Sequence, residues 1–229
     1  MREDRVANLI LQAMKVTKEH LADDFKLSIS KTNENGLNHN VWARRSDELE
    51  SYFKNDDDII VLHIKRSSLW QIDPVFDKKT GILYVQFTDK TLESILRKFK
   101  KEKDITHYIF SLLLKVSGKL PLNGEQMEFA LDDNVIEKRN ERRKQDNSKM
   151  LGVLESEVKD IKIISVTYHE NLAIYAQMIE YTSNFEVSKE RDISNLLPLV
   201  FENDDATITS ASNNDNFKDD QEDLLVKLK

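Results

Sequence analysis

Leu69-Trp70-Gln71-Ile72-Asp73-Pro74-Val75-Phe76-Asp77-Lys78-Lys79-Thr80-Gly81-Ile82-Leu83-Tyr84-Val85-Gln86-Phe87-Thr88 is the stretch on which the fold turns. Two β-rich runs, 69–76 and 82–88, flank Asp77-Lys78-Lys79-Thr80-Gly81. An Asp that accepts backbone hydrogens opens such a turn, and a Gly closes it where φ is positive, so a β-hairpin is expected. Pro74 has no N–H to give a ladder, which predicts an edge strand or a bulge at that point.

Working outward, apolar residues at helical spacing predict a helix over 4–25, from Val6, Leu9, Ile10 and Ala13 to Leu21 and Phe25. Polar, turn-rich residues 30–40 read as a loop, and Ser46 is a candidate N-cap for a short helix ending at Phe53. Ile59–Lys65 is a further strand. Beyond the hairpin, Asp89 is expected to cap a helix carrying Leu92, Ile95, Leu96 and Phe99. Asp104 is expected to cap another, which runs to Gly118 with Pro121 behind it. Residues 134–157 are highly charged and read as a linker helix or exposed arm. A second hairpin joins Ile161–His169 to Leu172–Tyr181 across Glu170-Asn171, and Asp192–Leu197 forms a last short element. From about Asp204 the Asn-, Asp- and Ser-rich composition reads as disordered.

The expected class is therefore α+β: an antiparallel sheet built from two hairpins, packed against several helices, with a charged helical arm and a disordered acidic tail. Residues 1–133 hold the N-terminal helix, first hairpin and helical region. Residues 134–160 form the charged linker helix, 161–203 the second hairpin completing the same domain, and 204–229 the tail.

Composition narrows the chemistry. The 229 residues are 39% hydrophobic and 33% charged, enough for a core. No apolar run approaches the about 18 residues of a membrane span. Met1-Arg2-Glu3-Asp4-Arg5 lacks the pattern of a signal peptide. With no cysteine there are no disulfides and no thiolate ligands, and a cytoplasmic setting is expected. The net charge is −7, of which the segment 202–229, with eight acids and three lysines, carries −5. The body is thus nearly neutral.

No cofactor is expected. The histidines, His20, His39, His63, His107 and His169, show no metal-ligand spacing, and the five glycines never cluster into a phosphate-binding loop. Gly-x-Ser-x-Gly is missing. Asp73, in the strand before Pro74, followed by the acid-x-Lys triplet Asp160-Ile161-Lys162 gives the skeleton of a metal-dependent nuclease, one alternative reading. Two basic clusters give another. Arg97, Lys98, Lys100, Lys101 and Lys103 lie at a helix C-terminus, where the helix dipole itself favours cations. Arg139, Arg142, Arg143 and Lys144, beside Lys138, lie on the charged arm. With Trp42, Arg44 and Arg45 these could form a phosphate-binding face, against the plainer reading of solvated helix surfaces. Trp42, Arg44, Arg45, His107 and Tyr108 are also candidate interaction residues, His107 alternatively a boundary histidine bonded to a neighbouring loop.

The order of the blocks Trp70-Gln71-Ile72, Phe76–Tyr84, Leu92-Glu93-Ser94-Ile95, His107-Tyr108 and Gln126-Met127-Glu128-Phe129 resembles the domain-of-unknown-function family 5986 of low-GC Firmicute bacteria and their mobile elements. The second hairpin, Ile163 to Ile179, and Asp192-Ile193-Ser194 sit where that family places them, so the likeness spans roughly residues 1–200. It departs at Val116-Ser117-Gly118, where an asparagine belongs. The resemblance implies a cytoplasmic bacterial or phage protein with a regulatory or conflict-related role, and no known activity. The leading expectation is accordingly a non-enzymatic interaction factor with a protein partner. A nucleic-acid regulator is the alternative that uses the basic clusters. Self-association stays open, because a long exposed helix usually meets a partner or a second copy.

Overall fold

A computed structural model describes residues 1–67, 70–102, 106–116, 133–182 and 185–198. In chain order the elements are α1 (Arg2–Met14), α2 (Glu19–Ser28), α3 (Leu37–Phe53), β1 (Ile59–Val61), β2 (Ile64–Lys65), β3 (Gln71–Ile72), β4 (Val75–Asp77), β5 (Ile82–Thr88), α4 (Asp89–Glu102), α5 (Tyr108–Leu112), α6 (Asp133–Leu151), β6 (Asp160–His169), β7 (Leu172–Tyr181) and β8 (Val187–Asp192). The fold is α+β. Six strands form one sheet in the order β1-β4-β5-β6-β7-β8, and β2 and β3 form a small antiparallel pair beside it.

Both hairpins form. In the first, Gly81 donates its N–H to the Asp77 carbonyl at 2.8 Å and the Asp77 carboxylate accepts from the Lys79 N–H at 3.0 Å. Gly81 has φ +73°, and a Cβ there would stand 2.9 Å from the Glu157 carbonyl oxygen, so the turn demands glycine twice over. In the second, Glu170 and Asn171 both have positive φ, 47° and 63°, which suits a two-residue turn to the strand twist.

The hairpins are joined by a parallel pairing of β5 with β6, from Ile82↔Asp160 to Thr88↔Val166. The sheet is therefore mixed, where antiparallel pairing throughout was expected. A parallel neighbour needs a long crossover, and α4, α5 and α6 supply it. Those helices cover one face, packing Leu92, Ile95, Tyr108, Ile109, Phe110, Leu112, Met150 and Leu151 against Phe76, Leu83, Val85, Phe87, Ile161 and Ile163. The opposite face takes α1 and α3, with Val6, Ile10, Leu11, Met14, Leu49 and Phe53 on Val75, Tyr84, Ile164, Val166 and Met178. With both faces covered, β5 is buried from Leu83 to Phe87, which is why it reads as a nearly continuous apolar run.

Six local expectations change. Ile59–Lys65 is not one strand: β1 joins the large sheet and β2 pairs with β3. Asp89 is the first residue of α4, and the Thr88 hydroxyl accepts the Thr91 N–H at 3.3 Å in the capping role. The helix over 4–25 is two helices, broken at residues 15–18, because the guanidinium of Arg45 takes the carbonyls of Met14 and Val16 at 3.3 and 2.7 Å. The helix expected from Ser46 begins at Leu37. Its buried row Leu37, Val41, Arg45, Leu49, Phe53 is apolar except for Arg45, and that cation hides the periodicity. The run 69–76 is not one strand. Pro74 falls between β3, which pairs with β2, and β4, which lies between β1 and β5 rather than at an edge. The arm at 134–157 is not free: α6 packs on α5, burying Arg139, Arg143, Asn147, Met150 and Leu151. The sequence also gave no signal for β8, whose Lys189, Glu190, Arg191 and Asp192 put charges along the sheet edge, as edges exposed to water commonly do. Asp104, Gly118, Pro121 and the acidic tail lie outside the described residues.

Candidate nucleic-acid interface

Helix α6 has two kinds of cation. Arg139 and Arg143 sit one turn apart on its buried side, Lys138, Arg142 and Lys149 are exposed along one flank, and Lys144, two residues from Arg142 and so about 160° round the helix, is exposed on the other. The buried side is set by packing. The guanidinium of Arg143 lies 5.8 Å from the centre of the Phe110 ring and 5.5 Å from that of Phe185, so two aromatic faces receive its charge. Phe99 from α4 stacks on the same Phe110 at 4.6 Å. This cluster ties α4, α5 and α6 together and aims the outer cations away from the sheet.

Between α5, α6 and the segment after β2 lies a cavity of about 220 Å³. Arg66, Arg142, Arg143 and Lys149 line it with Thr106, Ser111, Gln145 and Asp146. Arg66 reaches it from the sheet side and holds Asp146 through both guanidinium nitrogens, Nη1 to Oδ1 at 2.7 Å and Nη2 to Oδ2 at 3.1 Å. Among the described residues the lining thus carries four cations and one carboxylate. Arg97, Lys100 and Lys101 on α4 are exposed and belong to the same helical layer; Lys98 is half-buried, and Lys103 lies outside the described residues.

The third group of cations is placed elsewhere. Trp42, Arg44 and Arg45 are on α3, across the sheet. Arg45 is buried: it donates to the Met14 and Val16 carbonyls and to the Tyr168 hydroxyl at 3.1 Å, and stacks 4.6 Å over Trp42. Burial lowers its pKa, with Tyr168 acting the other way. Arg44 pairs with Glu48 at 2.8 Å. No single face joins these three residues to the clusters on α4 and α6. His107 caps α5, its Nδ1 accepting the Ile109 N–H at 3.4 Å, and Tyr108 is buried against Trp70 and Phe87. Burial pushes the Tyr108 phenol pKa far up.

Asp73 does not meet Asp160-Ile161-Lys162. Asp77, Ile82 and Asp160 share one row across the sheet, and Asp73 lies four residues further along, where its carbonyl accepts from Gln86 at 2.7 Å. Lys162 ion-pairs with Glu3 and Glu180 beneath α1. Burial lowers the Lys162 pKa, those two carboxylates outweigh it, and the net shift is upward. The Asp73 carboxylate instead faces His63 Nδ1 at 2.7 Å, and Glu50 faces His63 Nε2 at 2.8 Å. With both ring nitrogens engaged on opposite sides, these groups point at the imidazole and do not converge on a common ion. Among the described residues no three or more His, Asp or Glu side chains are arranged to hold a metal.

With that geometry in place, one comparison decides the kinship: residues 2–229 match the family of unknown function DUF5986. The chain belongs to this family. No curated protein and no solved structure matches it. Membership in DUF5986 assigns no chemistry, so the cavity and its cations carry the functional argument. Among the described residues no helix of this DUF5986 protein is long and apolar enough to cross a membrane. Sequence reasoning missed Arg66, Asp146 and Lys149 as parts of a site. Arg66 follows β2, Asp146 and Lys149 are on α6, the contact of Arg66 with Asp146 spans 80 residues, and nothing local marks them.

Proposed function

We propose that this protein is a nucleic-acid-binding regulatory factor, and that its α4–α6 layer receives the phosphate backbone. The observation that carries this reading is the cation-lined cavity at Arg66, Arg142, Arg143 and Lys149, set in the same helical layer as Arg97, Lys100 and Lys101. On α6, Lys138 and Arg142 are four residues apart, about 6 Å along the axis, and Lys149 continues toward the C-terminal end of the helix, where the dipole favours cations. Backbone contacts of this kind give sequence-tolerant, salt-dependent affinity. On the family resemblance, we place it in the cytoplasm of a bacterium, encoded by the host, a phage or another mobile element.

Fluorescence anisotropy with labelled single- and double-stranded 20-mers tests the reading. If Lys138, Arg142 and Lys149 each neutralise one phosphate, duplex affinity falls about 40-fold between 50 and 200 mM salt. The double substitution Lys138→Ala and Arg142→Ala lowers the slope of log affinity against log salt by about two. No binding at low salt, or binding indifferent to salt, overturns it.

A protein partner is the second reading, favoured by exposed apolar side chains outside this layer. Leu172 and Ile174 near the turn of the second hairpin are 50% and 55% exposed, and Leu27 and Ile29 at the end of α2 are 81% and 62% exposed. Affinity capture from the native host separates the two. A stoichiometric protein that survives nuclease treatment supports the second reading, and loss of the captured material on treatment supports the first.

A further inference from the structure

We propose that Asn35-Gly36, in the turn that opens α3, is a spontaneous modification site: Asn35 loses its side-chain amide through a cyclic imide, and the product sets how firmly α2 is held. Three observations carry it. First, the nucleophile is free. The turn is closed by the Leu37 N–H on the Glu34 carbonyl at 2.9 Å, and among the described residues the Gly36 N–H has no acceptor. Second, the electrophile is within reach. Asn35 is exposed, and its main-chain N–H donates to Asn33 Oδ1 at 2.9 Å. Its side-chain amide has no partner among the described residues, so it turns without breaking a contact. Gly36 has no Cβ to block the approach, and its backbone rotates more freely than that of any other residue. Third, Gly36 carries a packing contact. It has φ −82° and ψ −12° and lies under the Phe25 ring, where a Cβ would stand 3.3 Å from Cε2 and Cζ. Phe25 is the one buried side chain of α2, and Leu37 beside Gly36 is buried too. Asn38 and Asn40 lie inside α3, before the bulkier His39 and Val41, where helical hydrogen bonds hold the backbone.

The step needs only water. The Gly36 N–H gives its proton to hydroxide, and the nitrogen bonds to Asn35 Cγ. The Cγ–Nδ2 bond then breaks, and the leaving nitrogen takes a proton from water to depart as ammonia, which regenerates the hydroxide. Water next opens the imide. Opening at Cγ restores the main chain with an aspartate at position 35. Opening at the main-chain carbonyl carbon leaves Gly36 joined through Cγ, an isoaspartyl link that adds one carbon to the backbone. That carbon moves Gly36 from under Phe25 and draws the Leu37 N–H off the Glu34 carbonyl. Close-packed side chains feel such a shift, so the isoaspartyl product loosens α2, whereas the aspartyl product keeps the turn.

The experiment ages the full chain at near-neutral and at alkaline pH, both folded and in urea. Each asparagine is followed by peptide mapping in a mass spectrometer, with the peptide that holds Asn123-Gly124 scored separately. Amide hydrogen exchange over α2 is read on fresh and aged protein. Asn35 is expected to convert ahead of Asn38 and Asn40, and faster at the higher pH. Its rate in the folded chain should lie within about fivefold of its rate in urea, the protection that one turn hydrogen bond gives. Aspartyl and isoaspartyl peptides both form, and exchange over α2 in the isoaspartyl fraction rises about tenfold. Asn35→Gln, whose longer side chain closes a ring far more slowly, keeps its amide and the α2 exchange of fresh protein on ageing. Fresh Asn35→Asp reproduces the aspartyl product and leaves α2 exchange unchanged. If Asn35 keeps its amide in the folded chain while it converts in urea, the turn protects it and the proposal is overturned. Conversion of Asn38 or Asn40 first also overturns it. Conversion at Asn35 with α2 exchange unmoved overturns the hold on α2.

Discussion

His63 is a protonation-dependent brace, and its contribution to stability can be worked from the geometry. Its Nδ1 lies 2.7 Å from Asp73 Oδ1 and its Nε2 lies 2.8 Å from Glu50 Oε1. A neutral imidazole has one N–H and one lone pair, so it would turn a lone pair on one of the two carboxylates. The geometry calls for the imidazolium, which donates to both. Burial acts to lower the His63 pKa, the hydrogen bonds and charges of Asp73 and Glu50 outweigh it, and the value ends above the usual one. A raised folded pKa means that the stabilisation is fully present below the unfolded value, near 6.5, and is lost as pH rises through the folded pKa. Two charge-assisted hydrogen bonds would contribute about 1.5–3 kcal/mol each if buried. His63 and Glu50 are 41% and 52% exposed, so that link is screened, whereas Asp73 is 10% exposed. The discounted sum is about 2 kcal/mol. The assay is urea unfolding of the protein and of His63→Gln at pH 6 and pH 9. The unaltered protein should lose about 1–2 kcal/mol more than the variant between the two pH values. Equal pH dependence in the two proteins, or greater stability of the unaltered protein at pH 9, refutes the reasoning. The site is three residues before Arg66, so the brace also steadies the segment that delivers Arg66 to the cavity.

Three further outcomes follow from other contacts. Arg45→Ala should lower stability by about 3 kcal/mol by stranding buried carbonyls at the end of α1, and Arg45→Lys should not restore it, because an ammonium cannot replace the planar fork; thermal melts check both. Gly81→Ala should cost about 2 kcal/mol or more, since φ is +73° and the new Cβ meets the Glu157 carbonyl at 2.9 Å; a Tm unchanged within error would count against the turn geometry. Ile164→Ala, at a fully buried position under α1, should cost about 2–5 kcal/mol in denaturant unfolding without altering the salt slope of nucleic-acid binding.

Charged residues were where sequence reasoning about the site fell short. Arg142, Lys144 and Lys138 are exposed on α6, and Arg97, Lys100 and Lys101 on α4, at positions legible from the charge runs themselves. Arg139 and Arg143 belong to the same run and are buried, and Arg45 became the cap of α1. A cation in a helical row reads as a surface residue until the element that receives its guanidinium is known. Asp73 was legible as an unusual acid in a strand, but its partner His63 was not, because the two come together through the β2–β3 pairing.

What the sequence by itself determined is local. Asp77-to-Gly81 and Glu170-Asn171 specify two turns, the β-rich runs beside them mark the hairpin strands β4 to β7, and apolar spacing marks α1, α4 and α5. Those signals act within a few residues, through backbone conformation and side-chain periodicity. Tertiary structure alone decided that β5 and β6 run parallel, since that pairing follows from a crossover through α4, α5 and α6 and no residue in either strand encodes its neighbour. It also decided which charges are buried and which face outward, because desolvation depends on what packs against a side chain. The cavity at Arg66 and α6 is a product of that packing: its cations are written in the sequence, and their convergence is not.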